Sequence, residues 1–299
     1  MEILPGTYDY NQVVISVLVA ILASYVTFDL IGIAWNEKKR KNHQKWLVVS
    51  ASVLGVGIWT MHFIGMFSYR LPIPIHYELI QTVISLFMAI IGNYFGFLII
   101  NKHHDIFHQG LASSLMGAGI VGMHYTGIKA MHIQADMHFN FTLMLLSIFI
   151  AVSVSWVALR LFIDLHSGKI VVSLQKKLMI ACVMGVAISG MHYTSMTATH
   201  FTSSDHTFSQ MNGVMIGGDS IFAAIVFSSV LLILTGIFLA KIKIGLTEQF
   251  AKELGLMRIN ERQLRLMIEN SPDAFFVHDS QGKILDINKA ACNFLGYTH

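Results

Sequence analysis

Three Met-His-aromatic triplets recur along this chain, at Met61-His62-Phe63, Met123-His124-Tyr125 and Met191-His192-Tyr193, each within a long apolar stretch. Imidazole nitrogen binds copper, zinc, iron and nickel, and thioether sulfur is a soft donor, so a mixed His and Met set points to copper, above all Cu(I). The copies lie 62 and 68 residues apart and share more than the triplet. Gly55, Gly117 and Gly185 stand seven residues before the histidine, and Ile58, Ile120 and Ile188 four before. This is an internal repeat. A single histidine in an apolar helix reads as packing; three at matched positions read as a site, because polar side chains inside a membrane are expensive and mostly functional.

Four residues after each histidine, on its own helical face, stand Met66, Ile128 and Met196. Helix geometry favours Met66 and Met196 as donors over Met61, Met123 and Met191, since a residue one position before the histidine points about 100° away. Met131, His132 and His138 follow the second copy, and His200 and His206 the third, which makes Met131, His132 and His200 accessory candidates. Tyr125, Tyr193, Thr126 and Thr194 could orient the ligands by hydrogen bonding; anchoring at the membrane interface explains the tyrosines equally well. Haem is the competing cofactor, with iron held by His and His or by His and Met. An open position on either metal would accept a diatomic gas.

The elements that must carry these residues follow from composition. The 299 residues are 54% hydrophobic and 12% charged, about half the charge of a soluble domain. Seven stretches, roughly 13–35, 46–68, 79–101, 111–131, 141–163, 174–197 and 221–243, reach the ~20 apolar residues that span a bilayer, and each must be helical to satisfy its own backbone. The expected fold is an all-α membrane protein, a seven-transmembrane helix bundle. Met1 to Gln12 lacks the basic start of a cleaved signal peptide, so the first span is read as a retained anchor. Lys38, Lys39, Arg40, Lys41 and Lys45 follow span 1, Lys102 follows span 3, Arg160, Lys169, Lys176 and Lys177 flank the turn between spans 5 and 6, and Lys241 and Lys243 end span 7. Cationic loops stay in the cytoplasm, which puts the N-terminus outside and the C-terminus inside. Spans 2, 4 and 6 then run outward, and His62, His124 and His192 share one level near the outer face.

Asp29 is the acidic residue inside a span and needs a partner; Arg160, at compatible depth, is the expected one in a structural or switch-like pair, unless Asp29 reaches interfacial water. Cys182, in span 6, and Cys292, in the tail, form no disulfide framework. A retinal protein needs a lysine midway along its last helix, and span 7 has lysines at its edge alone, so that class is excluded. The slight positive charge sets topology and implies no nucleic-acid partner.

The Met-His-Tyr-Thr motif, complete at Met123 to Thr126 and Met191 to Thr194 and altered to Met61-His62-Phe63-Ile64, resembles the MHYT family of bacterial membrane sensors, as does Ala23-Ser24-Tyr25 with Phe28-Asp29-Leu30. Over residues 8–243 the resemblance implies a multi-pass sensor of the bacterial cytoplasmic membrane that holds copper near the outer face and responds to oxygen, carbon monoxide or nitric oxide. It implies His62, His124 and His192 as ligands, with Met61, Met123 and Met191 as motif partners. Phe63 and Ile64 remove two hydroxyls from the first copy.

The chain divides into the sensory domain 1–243, a linker helix 244–268 and a segment 269–299. Phe250, Leu254, Met257, Leu264 and Ile268 have heptad-like spacing, as for a homodimeric coiled coil or a solvated amphipathic helix. Ile268 to Asp273, Val277-His278-Asp279 and Gly282-Lys283-Ile284 resemble the start of a PAS domain, a short partial α/β segment with a hairpin turn at Asp279 to Gly282. No catalytic motif is present. The expected function is signalling, with a gas or redox ligand sensed in the membrane and relayed to cytoplasmic output domains; family resemblance implies cyclic-di-GMP enzymes or histidine kinases. The alternative is a metal or ion transporter, which would need polar groups across the whole membrane beyond Asp29, Asn93 and Arg160.

Overall fold

The computed structural model describes residues 4–37, 39–167, 174–203 and 214–296. Two compact units divide it, Met1–Ala240 and Lys241–His299. In the first, long helices dominate: α1 (Tyr10–Asn36), α2 (Arg40–Ser68), α3 (Leu79–Ile100), α4 (Ile106–Lys129), α5 (Phe141–Ser167), α6 (Leu174–Thr197) and α7 (Gly218–Glu269), the last crossing the boundary between units. Each matches an expected span, and α7 also takes in the linker 244–268.

Six of these helices are long and apolar enough to cross a membrane. The exception, α4, carries Gly110, Ser113, Ser114, Gly117, Gly119, Gly122 and His124, so its apolarity is diluted by the residues that let it pack. The faces of α1, α3, α5 and α7 that the bundle leaves open carry Leu18, Phe87, Phe149 and Phe227, all exposed. Such a continuous apolar surface fits lipid and would be a liability in water. The protein is membrane-embedded and all-α, with a short α/β segment at its end.

From α1 to α6 sequential helices pack side by side, α6 returns to α1, and α2 touches both α4 and α6. This puts α2, α4 and α6 inside and α1, α3 and α5 around them. The repeat glycines explain the close packing. A Cβ at Gly55 would strike the backbone of Ile90 in α3, one at Gly117 the backbone of Val152 in α5, and one at Gly185 the backbone of Ile21 in α1. Each inner helix therefore uses the glycine seven residues before its histidine to seat one outer helix, as small residues do in membrane bundles. In α7, Ile233 and Ala240 pack on Ala23, Val26 and Leu30 of α1 and Val53 of α2.

Short antiparallel strands tie the loops together at the end where α2, α4 and α6 terminate: β1 (Thr7–Tyr8) with β2 (Tyr69–Arg70), β3 (His76–Glu78) with both β4 (Met131–His132) and β7 (Met215–Gly217), and β5 (Ala135–Phe139) with β6 (Thr199–Ser203). Arg70 on β2 bonds Asp9 at 2.7 Å, and its guanidinium holds the Asp9 carboxyl below the usual carboxylate range. Asp9 also caps α1 by accepting from the Asn11 amide.

The second unit contains β8 (Phe276–His278), paired antiparallel with β9 (Ile284–Ile287), and α8 (Lys289–Leu295). Its turn holds Gly282 at φ 82, a conformation glycine adopts without steric cost. Asn288 caps α8 through the Ala291 amide and donates to the carbonyls of Ile268 and Asp273. The expected hairpin is present where the turn residues put it.

Candidate metal centre

His62, His124 and His192 sit in the last third of α2, α4 and α6, and their matched positions bring the three rings to one point, each with 0% exposure. The Nδ1 atoms form a triangle with sides of 3.0 Å (His124 to His62), 3.1 Å (His62 to His192) and 3.3 Å (His192 to His124). The ring planes stand 70°, 84° and 81° to one another, so the rings meet like blades, with nitrogens inward. A point equidistant from three atoms at such separations lies about 1.8 Å from each, slightly inside the 2.0–2.1 Å of a typical zinc–imidazole bond.

Hydrogen bonding alone leaves this cluster poorly satisfied. The three Nε2 atoms have no hydrogen-bond partner among the described residues. A neutral ring carries one N–H, so a mixture of tautomers lets one Nδ1–H donate to a bare Nδ1 across the triangle, but the third Nδ1 and the Nε2 atoms are then left unmatched. Unpaired buried polar groups each cost about 1–3 kcal/mol. A cation at the centre would resolve the inner conflict.

The outer edges of two rings rest on glycine. A Cβ at Gly127 would overlap Nε2 of His62, and one at Gly65 would overlap Nε2 of His192. Both glycines lie three residues after a motif histidine; Ser195 holds that position in the third copy and bonds the Tyr125 hydroxyl at 2.9 Å. This pair escaped the sequence reading, although its spacing is visible there. Gly127→Ala is expected to destabilise the fold by about 1–3 kcal/mol through overpacking. Gly110→Ala, on the same helix but facing open space, should be neutral or stabilise by up to about 1 kcal/mol. Thermal unfolding of the two variants side by side checks this.

The aromatic residue after each histidine packs edge-on against it, with centroids 4.9 Å apart for Phe63, 5.0 Å for Tyr125 and 4.8 Å for Tyr193. The tyrosine hydroxyls bond elsewhere: Tyr125 to Ser147 at 3.1 Å, Tyr193 to Ser16 at 2.8 Å. They brace neighbouring helices, and the rings support the imidazoles. The Thr126 hydroxyl turns to the Met88 sulfur, and Thr194 is half-buried with its carbonyl accepting from Thr197.

Met61, Met123, Met191, Met66, Met196 and Met131 are all buried in the same apolar core as the helices that carry the histidines. Among the described His, Cys, Asp and Glu side chains, the three histidines form the cluster at this site. His132 is half-buried and lies opposite His76 on β4–β3, while His200 is exposed opposite His138 on β6–β5. These accessory candidates cap the bundle end apart from the triad. His206 lies outside the described residues.

Asp29 has a partner, though not the expected one. Lys177, at the start of α6, forms the ion pair with it, and Arg160 instead faces Asp164 one turn on in α5 at 3.7 Å. Depth was readable from sequence, but the direction each side chain takes around its helix was not. Cys182 is exposed and Cys292 buried.

The N-terminal repeat of bacterial signalling proteins, MHYT, matches residues 55–113 and 117–173, and a PAS domain matches 262–299. The two repeat matches begin near Gly55 and at Gly117; the third histidine lies beyond them. The chain is 39% identical over 200 residues to the bifunctional diguanylate cyclase/cyclic di-GMP phosphodiesterase MucR of Pseudomonas aeruginosa, covering 64% of this chain and 28% of that protein. It is 28% identical over 289 residues to the signaling protein YkoW of Bacillus subtilis, covering 95% and 35%. It is 31% identical over 193 residues to the cyclic di-GMP phosphodiesterase NbdA of Pseudomonas aeruginosa, covering 64% and 24%. These matches span about a quarter to a third of the relatives' length. No solved structure matches the chain.

Proposed function

This chain is an MHYT-repeat membrane protein with a PAS segment toward its end, and from that premise we propose that it is a sensor in the bacterial cytoplasmic membrane whose three histidines hold one copper ion. The observation that carries this reading is the Nδ1 triangle, 3.0–3.3 Å on a side and fully buried. Three neutral imidazoles in an apolar, low-coordinate setting suit Cu(I), and the buried methionines around them keep the surroundings soft and dry. Copper bound there would supply an open position for oxygen, carbon monoxide or nitric oxide, or a change of redox state.

The residues around the ion have distinct tasks. Gly65 and Gly127 leave room for the rings, Phe63, Tyr125 and Tyr193 fix their tilt, and the strand-paired loops close the end of the bundle. Basic residues beside the opposite helix ends support an outside N-terminus, so the copper would lie near the outer face. A change in the triad would shift α2, α4 and α6 and be passed through the helical stretch 244–268, as a homodimer if its heptad-like face pairs. Outputs of the kind named in the relatives, cyclic-di-GMP synthesis and breakdown, would be the downstream partners. Those activities lie in parts of the relatives outside the matched region, and this chain itself is an input module with no catalytic role.

A haem held between two of these Nδ1 atoms fits less well. Two imidazoles on opposite sides of an iron stand roughly 4 Å apart, twice a bond of about 2 Å, and none of these separations exceeds 3.3 Å. A transporter is disfavoured by the interior beyond the histidines, where the central cavity is walled mostly by apolar side chains such as Leu54, Ile58, Phe97 and Leu159, with Ser24, Thr27, Asn93 and Ser155 as its polar residues among those described, too few to line a path for an ion. Metal analysis with an optical spectrum of purified protein tests the proposal. About one copper per chain without a haem band, and no copper uptake into vesicles, is the expected result; a haem band, uptake, or no metal after copper reconstitution would overturn it.

A further inference from the structure

Beyond the three histidines the bundle holds a partly open cavity of ≈ 40 Å³ lined by α1 to α6. Its near end is formed by Ile58, Ile120 and Ile188, each four residues before a motif histidine and so about 6 Å along its helix from the triad. The next turn supplies Leu54, Met116 and Met184. The same two repeat positions therefore wall the cavity from all three inner helices, and the outer helices complete it.

The wall is built to stay dry. Its hydroxyls, on Ser24, Thr27 and Ser155, each donate to a carbonyl one turn back on their own helix, at Ala20, Ala23 and Ala151. The Asn93 amide donates to the Ala89 carbonyl, leaving Oδ1 as the one wall atom without a hydrogen-bond partner among the described residues. A buried water takes two to four polar partners. The hydroxyl protons are already committed and the lining the cavity presents is almost wholly apolar; the second Asn93 N–H, its Oδ1 and the hydroxyl lone pairs are the polar capacity left, so water is held weakly, whereas apolar cavities remain dry and take up apolar guests. One water needs roughly 10–15 Å³ by the same measure, so there is room for a molecule of two or three heavy atoms and not for a lipid chain or an aromatic ring.

We propose that this cavity is a docking site for a small apolar gas molecule, oxygen, carbon monoxide or nitric oxide, held about one helical turn from the histidine cluster. That the gas docked here is the one sensed at the histidines rests on the copper reading; that the cavity takes up gas does not. The repeat thus has two functions at successive turns, one ring of imidazoles and one ring of aliphatic side chains.

Xenon is the probe, since it is apolar, of suitable size and indifferent to copper. Xenon NMR of the full chain in nanodiscs, with empty nanodiscs subtracted, should show a saturable protein-bound population that dissolved oxygen displaces. Ile120→Phe, or Val154→Phe if the first fails to fold, should reduce that population at least tenfold while leaving copper content unchanged, and should slow carbon monoxide binding to copper-loaded protein at least tenfold. Absence of saturable xenon in the wild type, xenon uptake unaltered by the filling variants, or an unchanged carbon monoxide rate would overturn the proposal. Xenon uptake by a protein that binds no copper would support the cavity and remove the copper reading; copper without xenon would do the reverse.

Discussion

The His124→Ala/His192→Ala variant is expected to lose its copper, from about one ion per chain to below a tenth. Two of three donors go, and the remaining His62 cannot hold a soft monovalent ion alone, because among the described residues its Nδ1 meets the nitrogens of the two deleted partners. Linked folding gives a second readout. A ligand at a hundredfold excess over its Kd stabilises the folded state by about 2.7 kcal/mol, so copper should raise the unfolding temperature of the wild type and leave that of the variant unmoved. The apo forms should differ little, since removing two imidazoles also removes two of the three unpartnered Nε2 atoms and relieves the crowding of the Nδ1 triangle, offsetting the cavity left behind. A variant that keeps its copper-dependent rise in unfolding temperature would place the ion elsewhere, with the exposed His103 and Asp105 and the half-buried His108, at the turn from α3 into α4, as the next place to look.

Much of this site was legible because the sequence repeats. Three histidines at equal positions in three helices of the same direction must share a level, and the apolar composition forces those helices to be parallel members of one bundle. Which neighbours each face meets is a different kind of information. The glycines seven residues before the histidines sit on nearly the histidine face, yet they seat α3, α5 and α1. The inner helices contact one another through Gly65 and Gly127, whose significance depends on where a ring from another helix arrives. Paired strands of two to five residues leave no alternation to detect, so the strand network that closes the histidine end was invisible. The preference for Met66 and Met196 as donors rested on helix angle alone, and the triangle is made by nitrogen without them.

The ion pair at the other end of the bundle shows how that limit becomes an experiment. Asp29 and Lys177 are about a sixth and a quarter exposed, so each loses most of its hydration and depends on the other. Asp29→Ala is expected to cost about 2–3 kcal/mol, the scale for a lone lysine moved toward a membrane interior, read as a lower unfolding temperature in nanodiscs. Exchanging the residues, Asp29→Lys with Lys177→Asp, should recover most of that loss. Arg160→Ala should change stability by under about 1 kcal/mol, because its contact with Asp164 is a long, exposed pair of adjacent turns. Equal losses from Arg160→Ala and Asp29→Ala, with no recovery on exchange, would restore Arg160 as the partner. The pair also bears on the gas cavity: Phe28 and Ile31, flanking Asp29 on α1, are part of its wall. Loosening α1 from α6 by breaking the pair would open the far end of the same space, so Asp29→Ala should weaken xenon uptake as well as stability, with the exchanged variant restoring both.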